Sequence, residues 1–119
     1  MIQKLSNEII ECNGLRLLLS TVEIDAGTMR DVCFQLIDKY DNAFIALTTK
    51  QNKKIILNIA LSKKLVEEKK LNASEIINEM NKHINVKGGG QPFFAVASGD
   101  LETGVNNLFN DLKQKIKSL

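Results

Sequence analysis

The residues of this chain best placed to do chemistry are Gly88, Gly89 and Gly90, read on into Gln91 and Pro92. Three consecutive glycines lose backbone entropy on folding and bring no side chain to a core, so their presence needs a structural reason. Pro92 fixes its own φ and biases Gln91 toward extended geometry. Such a segment leaves backbone N–H groups bare enough to approach phosphate or carboxylate oxygens. No G-K-[ST] follows it, and it lacks the G-x-G-x-x-G of dinucleotide sites, so neither nucleotide-loop mechanism applies. The competing explanation is a plain helix-to-strand connection in which glycine supplies positive φ. Local physics leaves both open.

Charge gives the glycines a context. Between Lys50 and Lys87 there are nine lysines against four glutamates, a net +5, while the rest of the chain is net −3. Lys63, Lys64, Lys82 and Lys87 are the lysines of this segment that, with the glycines, are candidates for contacting a polyanion through its phosphates. A solvated lysine-rich surface is the commoner origin of such a charge map, and charge alone favours it. Other reactive groups are sparse. His83 is the single histidine, at the edge of an apolar stripe, and it has no nucleophile near it in sequence with which to build a triad. Cys12 and Cys33 are isolated in apolar surroundings, without C-x-x-C pairing, and read as reduced core thiols. No carboxylate and histidine grouping has metal-ligand spacing.

The elements that must position the glycines follow from periodicity. Two β segments, at about 8–12 and 15–24, flank Asn13-Gly14, the dipeptide suited to a type I′ hairpin turn. A helix is expected from near Thr28, with Thr28-x-x-Asp31 as a capping box. Its buried face is Met29, Val32, Cys33, Leu36, Ile37 and Tyr40. A strand pair over 43–49 and 54–61 surrounds a polar turn at 50–53 and reads as covered on both faces. Helix follows, re-capped at Asn72, and the stripe Ala73, Ile76, Ile77, Met80 and Ile84 leads into the glycines. A last strand is expected over 93–98. A final helix then aligns Val105, Leu108, Phe109, Leu112, Ile116 and Leu119.

This order predicts an α/β (α+β) fold, a single mixed sheet of about five strands with helices packed on it, joined by crossovers through the first two helical regions. Residues 1–119 fit one domain, and only the first few look like a cut from something longer. No apolar run approaches the ~20 residues of a membrane helix, and no secretory signal is visible. The expected setting is cytoplasmic, with no membrane partner.

From Gly88 to Gly99 the chain resembles the glycine-rich signature near the C-terminus of alanyl-tRNA synthetases, a region of the DHHA1 family that also ends the DHH phosphoesterases. The Asn13-Gly14 hairpin, the helix over 29–40, the strand pair over 43–61 and the capped helix before the glycines fit the same pattern. The resemblance therefore covers almost the whole chain. There are departures: Gln91 stands where the synthetases usually carry Arg, Phe93-Phe94 replaces Asp-Met, Val96 replaces Gln, and Asn85-Val86 replaces a preceding glycine pair. The phosphoesterase branch typically has a histidine directly after its glycines, and Gln91 is not one. The resemblance implies a non-catalytic, DHHA1-like, C-terminal tRNA-binding domain that contacts the tRNA elbow in support of aminoacylation and editing. Catalytic and editing centres would lie upstream in the parent ligase. Gly88, Gly89, Gly90 and Pro92 are the motif positions carried over, with Gln91 at the departure. No cofactor or metal is implied for this domain, ATP and zinc belonging to upstream parts. The implied partners are tRNA, tRNA-Ala foremost, and the other domains of the synthetase. A homodimer through a self-association surface and the substrate-binding domain of a DHH phosphoesterase are the alternatives. Phe93 or Phe94 is expected to stack a base if exposed, and to be simply core if buried.

Overall fold

The computed structural model describes the backbone of residues 2–51, 53–84, 87–99 and 105–118, and their side chains except those of 2–3, 80–84, 87–89 and 105. The order is α1 (Ile2–Asn7), β1 (Ile10–Cys12), β2 (Leu15–Thr21), α2 (Ala26–Lys39), β3 (Ala43–Gln51), β4 (Lys54–Leu61), α3 (Lys63–Glu68), α4 (Ala73–Ile84), β5 (Lys87–Gly90), β6 (Phe94–Gly99) and α5 (Val105–Lys117). One mixed sheet joins the strands in the order β1-β2-β3-β4-β6-β5. It is the expected sheet with helices packed on it, and it reaches six strands because the glycine run itself pairs.

Asn13 and Gly14 carry φ of 54° and 81°, the two positive angles a type I′ turn requires, and β1 and β2 pair antiparallel across them. β2 and β3 are parallel, so the chain must cross over between them, and α2 is that crossover. Its cap differs from the expected one. Asp25 occupies the N-cap, and its carboxylate accepts from the Thr28 backbone N–H at 3.1 Å and the Thr28 hydroxyl at 2.6 Å. Thr28 thus donates to the cap instead of forming it. Its hydroxyl, followed by its backbone N–H, holds the exposed Asp25 carboxyl below the usual carboxylate range. α4 begins as expected, with Asn72 Oδ1 accepting from the Glu75 N–H at 3.2 Å.

Alternation along the strands splits the core into two layers. Leu15, Leu17, Phe44, Ala46, Leu57, Ile59, Ala95 and Ala97 face α3, α4 and α5, meeting Leu65, Ile76, Ile77, Leu108, Leu112 and Ile116. Leu18, Ile45, Leu47, Ala60 and Phe94 face the other way, toward Leu5 of α1 and Met29, Val32, Cys33 and Leu36 of α2. Each fully buried Leu or Ile of these layers contributes about 1.5–3 kcal/mol relative to exposure, which is why the helical stripes are so regular. Of the expected stripes, Met80, Ile84, Val105 and Leu119 lie outside the described side chains. α1 has no counterpart in the sequence expectations; burial of Leu5 against the α2 layer holds it.

Candidate functional site

The glycine run, which the sequence leaves open as a loop with bare N–H groups or a plain helix-to-strand connection, is a strand in the structure. It is the edge strand β5, paired antiparallel with β6 in the register Gly88↔Ala97, Gly89↔Val96 and Gly90↔Ala95. The requirement for glycine is one of distance. A Cβ on Gly90 would sit 2.5 Å from the Phe94 carbonyl oxygen and 2.8 Å from Ala95 Cα, and Gly90 has no left-handed φ. Gly90 is therefore needed for close approach of two backbones, a recognised use of glycine in strands.

The exposed tip is the turn that follows. Gln91 N–H donates to the Phe94 carbonyl at 2.8 Å and Phe94 N–H to the Gln91 carbonyl at 3.3 Å, leaving Pro92 and Phe93 as the two central residues. Pro92 is at the position where its fixed φ favours turn formation. Two further bonds clamp this tip to the body. The Pro92 carbonyl accepts from Ala73 N–H at 2.8 Å, satisfying a first-turn donor of α4, and the Phe93 carbonyl accepts from Leu61 N–H at 2.8 Å. Gln91, Pro92 and Phe93 are exposed, on a backbone tied by these four hydrogen bonds.

The clamp also brings α3 beside the tip, since Ser62 and Lys63 directly follow Leu61. Lys63 and Lys64 are both exposed. They share a shallow recess with Asp38, Asp41, Glu67 and Glu68, so the basic side expected from the charge map is interrupted there by carboxylates. Lys63 also pairs with Glu67 at 3.9 Å, a highly exposed i,i+4 contact of little energetic weight. Lys82 lies in α4 and Lys87 opens β5 opposite Ser98; these two lysine side chains and that of His83 are outside the described ones.

The aromatic pair separates by exposure. Phe94 is buried on the α2 side of β6, whereas Phe93 is 43% exposed. Sequence reasoning missed their neighbours, Phe34 and Arg30 of α2. The Phe34 ring lies 4.8 Å from that of Phe94 and 6.4 Å from that of Phe93, and the Arg30 guanidinium stands 6.0 Å from the Phe34 ring centre. The signal was available: Phe34 falls off the apolar stripe of α2, one helical turn after an arginine.

Among the described residues no group of histidines, cysteines and carboxylates is arranged to hold a metal ion. Both cysteines are free. Burial pushes the Cys33 thiol up to about 12, so it stays neutral and a poor nucleophile at ordinary pH. What the arrangement offers is recognition: a clamped turn with a polar, an imino and an aromatic side chain, an arginine nearby, and an open strand edge.

Residues 14–118 match the DHHA1 domain family. An alanine–tRNA ligase of Christiangramia forsetii is 40% identical over 114 residues, 96% of this chain and 13% of that protein. One of Cytophaga hutchinsonii is 35% identical over 107 residues, 90% of this chain and 12% of that protein. The chain thus spans only about an eighth of the length of these relatives. Among solved structures, the C-Ala domain of Aquifex aeolicus alanyl-tRNA synthetase superposes with a TM-score of 0.83 at 20% identity, covering 92% of this chain and 97% of that one. A pGpG-specific phosphodiesterase of Vibrio cholerae gives a TM-score of 0.59 at 16% identity, covering 98% of this chain and 37% of that one. These structural likenesses are ones of fold.

Proposed function

The chain belongs to the DHHA1 domain family, and from that membership we propose that it is the non-catalytic, C-terminal tRNA-binding domain of a cytoplasmic alanyl-tRNA synthetase. It contacts the elbow of tRNA-Ala and so helps the upstream aminoacylation and editing centres to act on one tRNA. ATP and zinc are used by those upstream parts, and this domain needs neither. The observation that carries the reading is the 40% identity to an alanine–tRNA ligase over 96% of the chain. The clamped tip at Gln91, Pro92 and Phe93 supports it, because an exposed and pre-organised turn loses little freedom on binding. With Gln91 at the tip, neutral hydrogen bonding replaces the phosphate pairing an arginine would provide.

The test is a titration of tRNA-Ala into the 119-residue chain at low and at fourfold higher salt. Contact with about three phosphates predicts a weakening of roughly 20- to 40-fold over that range. Salt-independent affinity, or no binding at either salt, contradicts the proposal. A short dinucleotide that displaces the tRNA would instead favour the phosphoesterase-type reading.

A further inference from the structure

α2 packs mainly on β3 and β4 and meets β6 at its first residue, where Phe34 lies against Phe94. The α2 side of β6 is therefore partly open, and Val96 is 37% exposed there. The rim of this opening is aromatic, and it leads from core to solvent: Phe94 is buried, Phe34 half-buried and Phe93 exposed. Tilted ring contacts link Phe34 to both phenylalanines of the hairpin. Arg30 is exposed, lies over Phe34, and has no carboxylate within ion-pair distance among the described residues.

We propose that Phe93, Phe34 and Arg30 receive one unpaired nucleobase of an RNA, the base lying on the Phe93 ring and the guanidinium bonding the adjoining phosphate. This rests on the RNA-binding reading above. Three properties of the patch favour that ligand. A base offers a flat π face, and stacking on an aromatic side chain is tolerant of which base is present. The turn is fixed before binding by Pro92 and by the two carbonyl clamps to Ala73 and Leu61, so little ordering is required. The guanidinium suits a nucleotide and not an aliphatic surface. An apolar protein partner would match Phe93 and Val96 but would strip water from Arg30 without replacing its hydrogen bonds, whereas a phosphate bonds it directly.

The experiment uses the whole chain and two single-stranded ribonucleotides of about eight residues, within the usual site size for such binding. One carries a central 2-aminopurine and the other an abasic position in its place. The wild type should quench the 2-aminopurine and bind that strand about tenfold more tightly than the abasic one. Phe93→Ala should bring the two affinities together, and Phe93→Tyr should keep them apart. Phe93→Leu, which retains apolar contact but loses the π face, should behave like Phe93→Ala if the latter melts too low to compare. Arg30→Gln should reduce the salt slope by about one while preserving the ratio between strands. Equal binding of both strands by the wild type, or a ratio that survives Phe93→Ala and Phe93→Leu, overturns the stacking site and leaves tRNA binding standing. A concentration-dependent dimer abolished by Phe93→Ala, with both strands bound equally, would make the patch a contact between copies and also overturn it. Absence of tRNA binding at low salt removes both proposals together.

Discussion

Gly90→Val is expected to lower the stability of the chain by at least about 3 kcal/mol, the upper end of what overpacking costs. The new Cβ would meet the Phe94 carbonyl oxygen at 2.5 Å and Ala95 Cα at 2.8 Å. Both are backbone atoms of the strand that Gly90 pairs with, so no rotamer change can relieve the overlap. Either β5 peels away or β6 shifts, and β6 is held on its other side by β4 over Phe94–Gly99. For a domain of this size the loss corresponds to a fall of roughly 10 °C or more in melting temperature. Gly14→Ala is the matched control. Its Cβ meets nothing within 4 Å, and only the positive φ of 81° is strained, so a loss of about 1 kcal/mol is expected. Thermal melts of the two variants check this, and equal destabilisation would contradict the close-approach account of Gly90. Substituting Gly90 is for the same reason a poor probe of ligand contact.

Ser62→Ala is the second large effect, about 2–3 kcal/mol. Ser62 is buried, and its hydroxyl accepts from Ala43 N–H at 3.0 Å while donating to the Tyr40 carbonyl at 2.6 Å. One hydroxyl thus serves the end of α2, the start of β3 and the entry to α3. Alanine fills nearly the same space but leaves the buried Ala43 N–H and the part-buried Tyr40 carbonyl unpaired, and the loss of a buried partner costs about 1–3 kcal/mol. The Ser62 backbone N–H would still bond the Ala43 carbonyl, so β3 and β4 should remain paired. Denaturant unfolding should show a lower midpoint with an unchanged slope. A change below about 0.5 kcal/mol would mean that water replaces the hydroxyl.

Local chemistry explains which elements were legible in the sequence. Asn13-Gly14 announces its turn because few other dipeptides accept two positive φ angles. The stripes over 29–40 and 105–116 announce helices because their period matches a single buried face. Asn72 announces a cap. The glycine run was readable as an anomaly but not as a strand, because glycine has low strand propensity and the reason for it, clearance from Phe94 and Ala95, is a tertiary distance. The helix α1 escaped for a similar reason: six residues carry little periodicity, and Leu5 finds its burial only in the tertiary layer formed with β2 and α2. The choice of Asp25 over Thr28 turned on two capping residues three positions apart, either of which can start a helix. At the candidate site, Gln91 and Pro92 were legible, while Arg30 and Phe34 were reached only through the fold that sets α2 beside the hairpin.

The claim that the hairpin tip is the RNA-facing end can be measured directly by titrating tRNA-Ala into isotope-labelled chain and following every backbone amide by NMR. The largest shifts are predicted at Gly90, Gln91 and Phe93 and at Arg30 and Phe34, with smaller ones at Lys63 and Lys64. Shifts confined to the far edge, around β1 and the Asn13-Gly14 turn, or to α5, would contradict it.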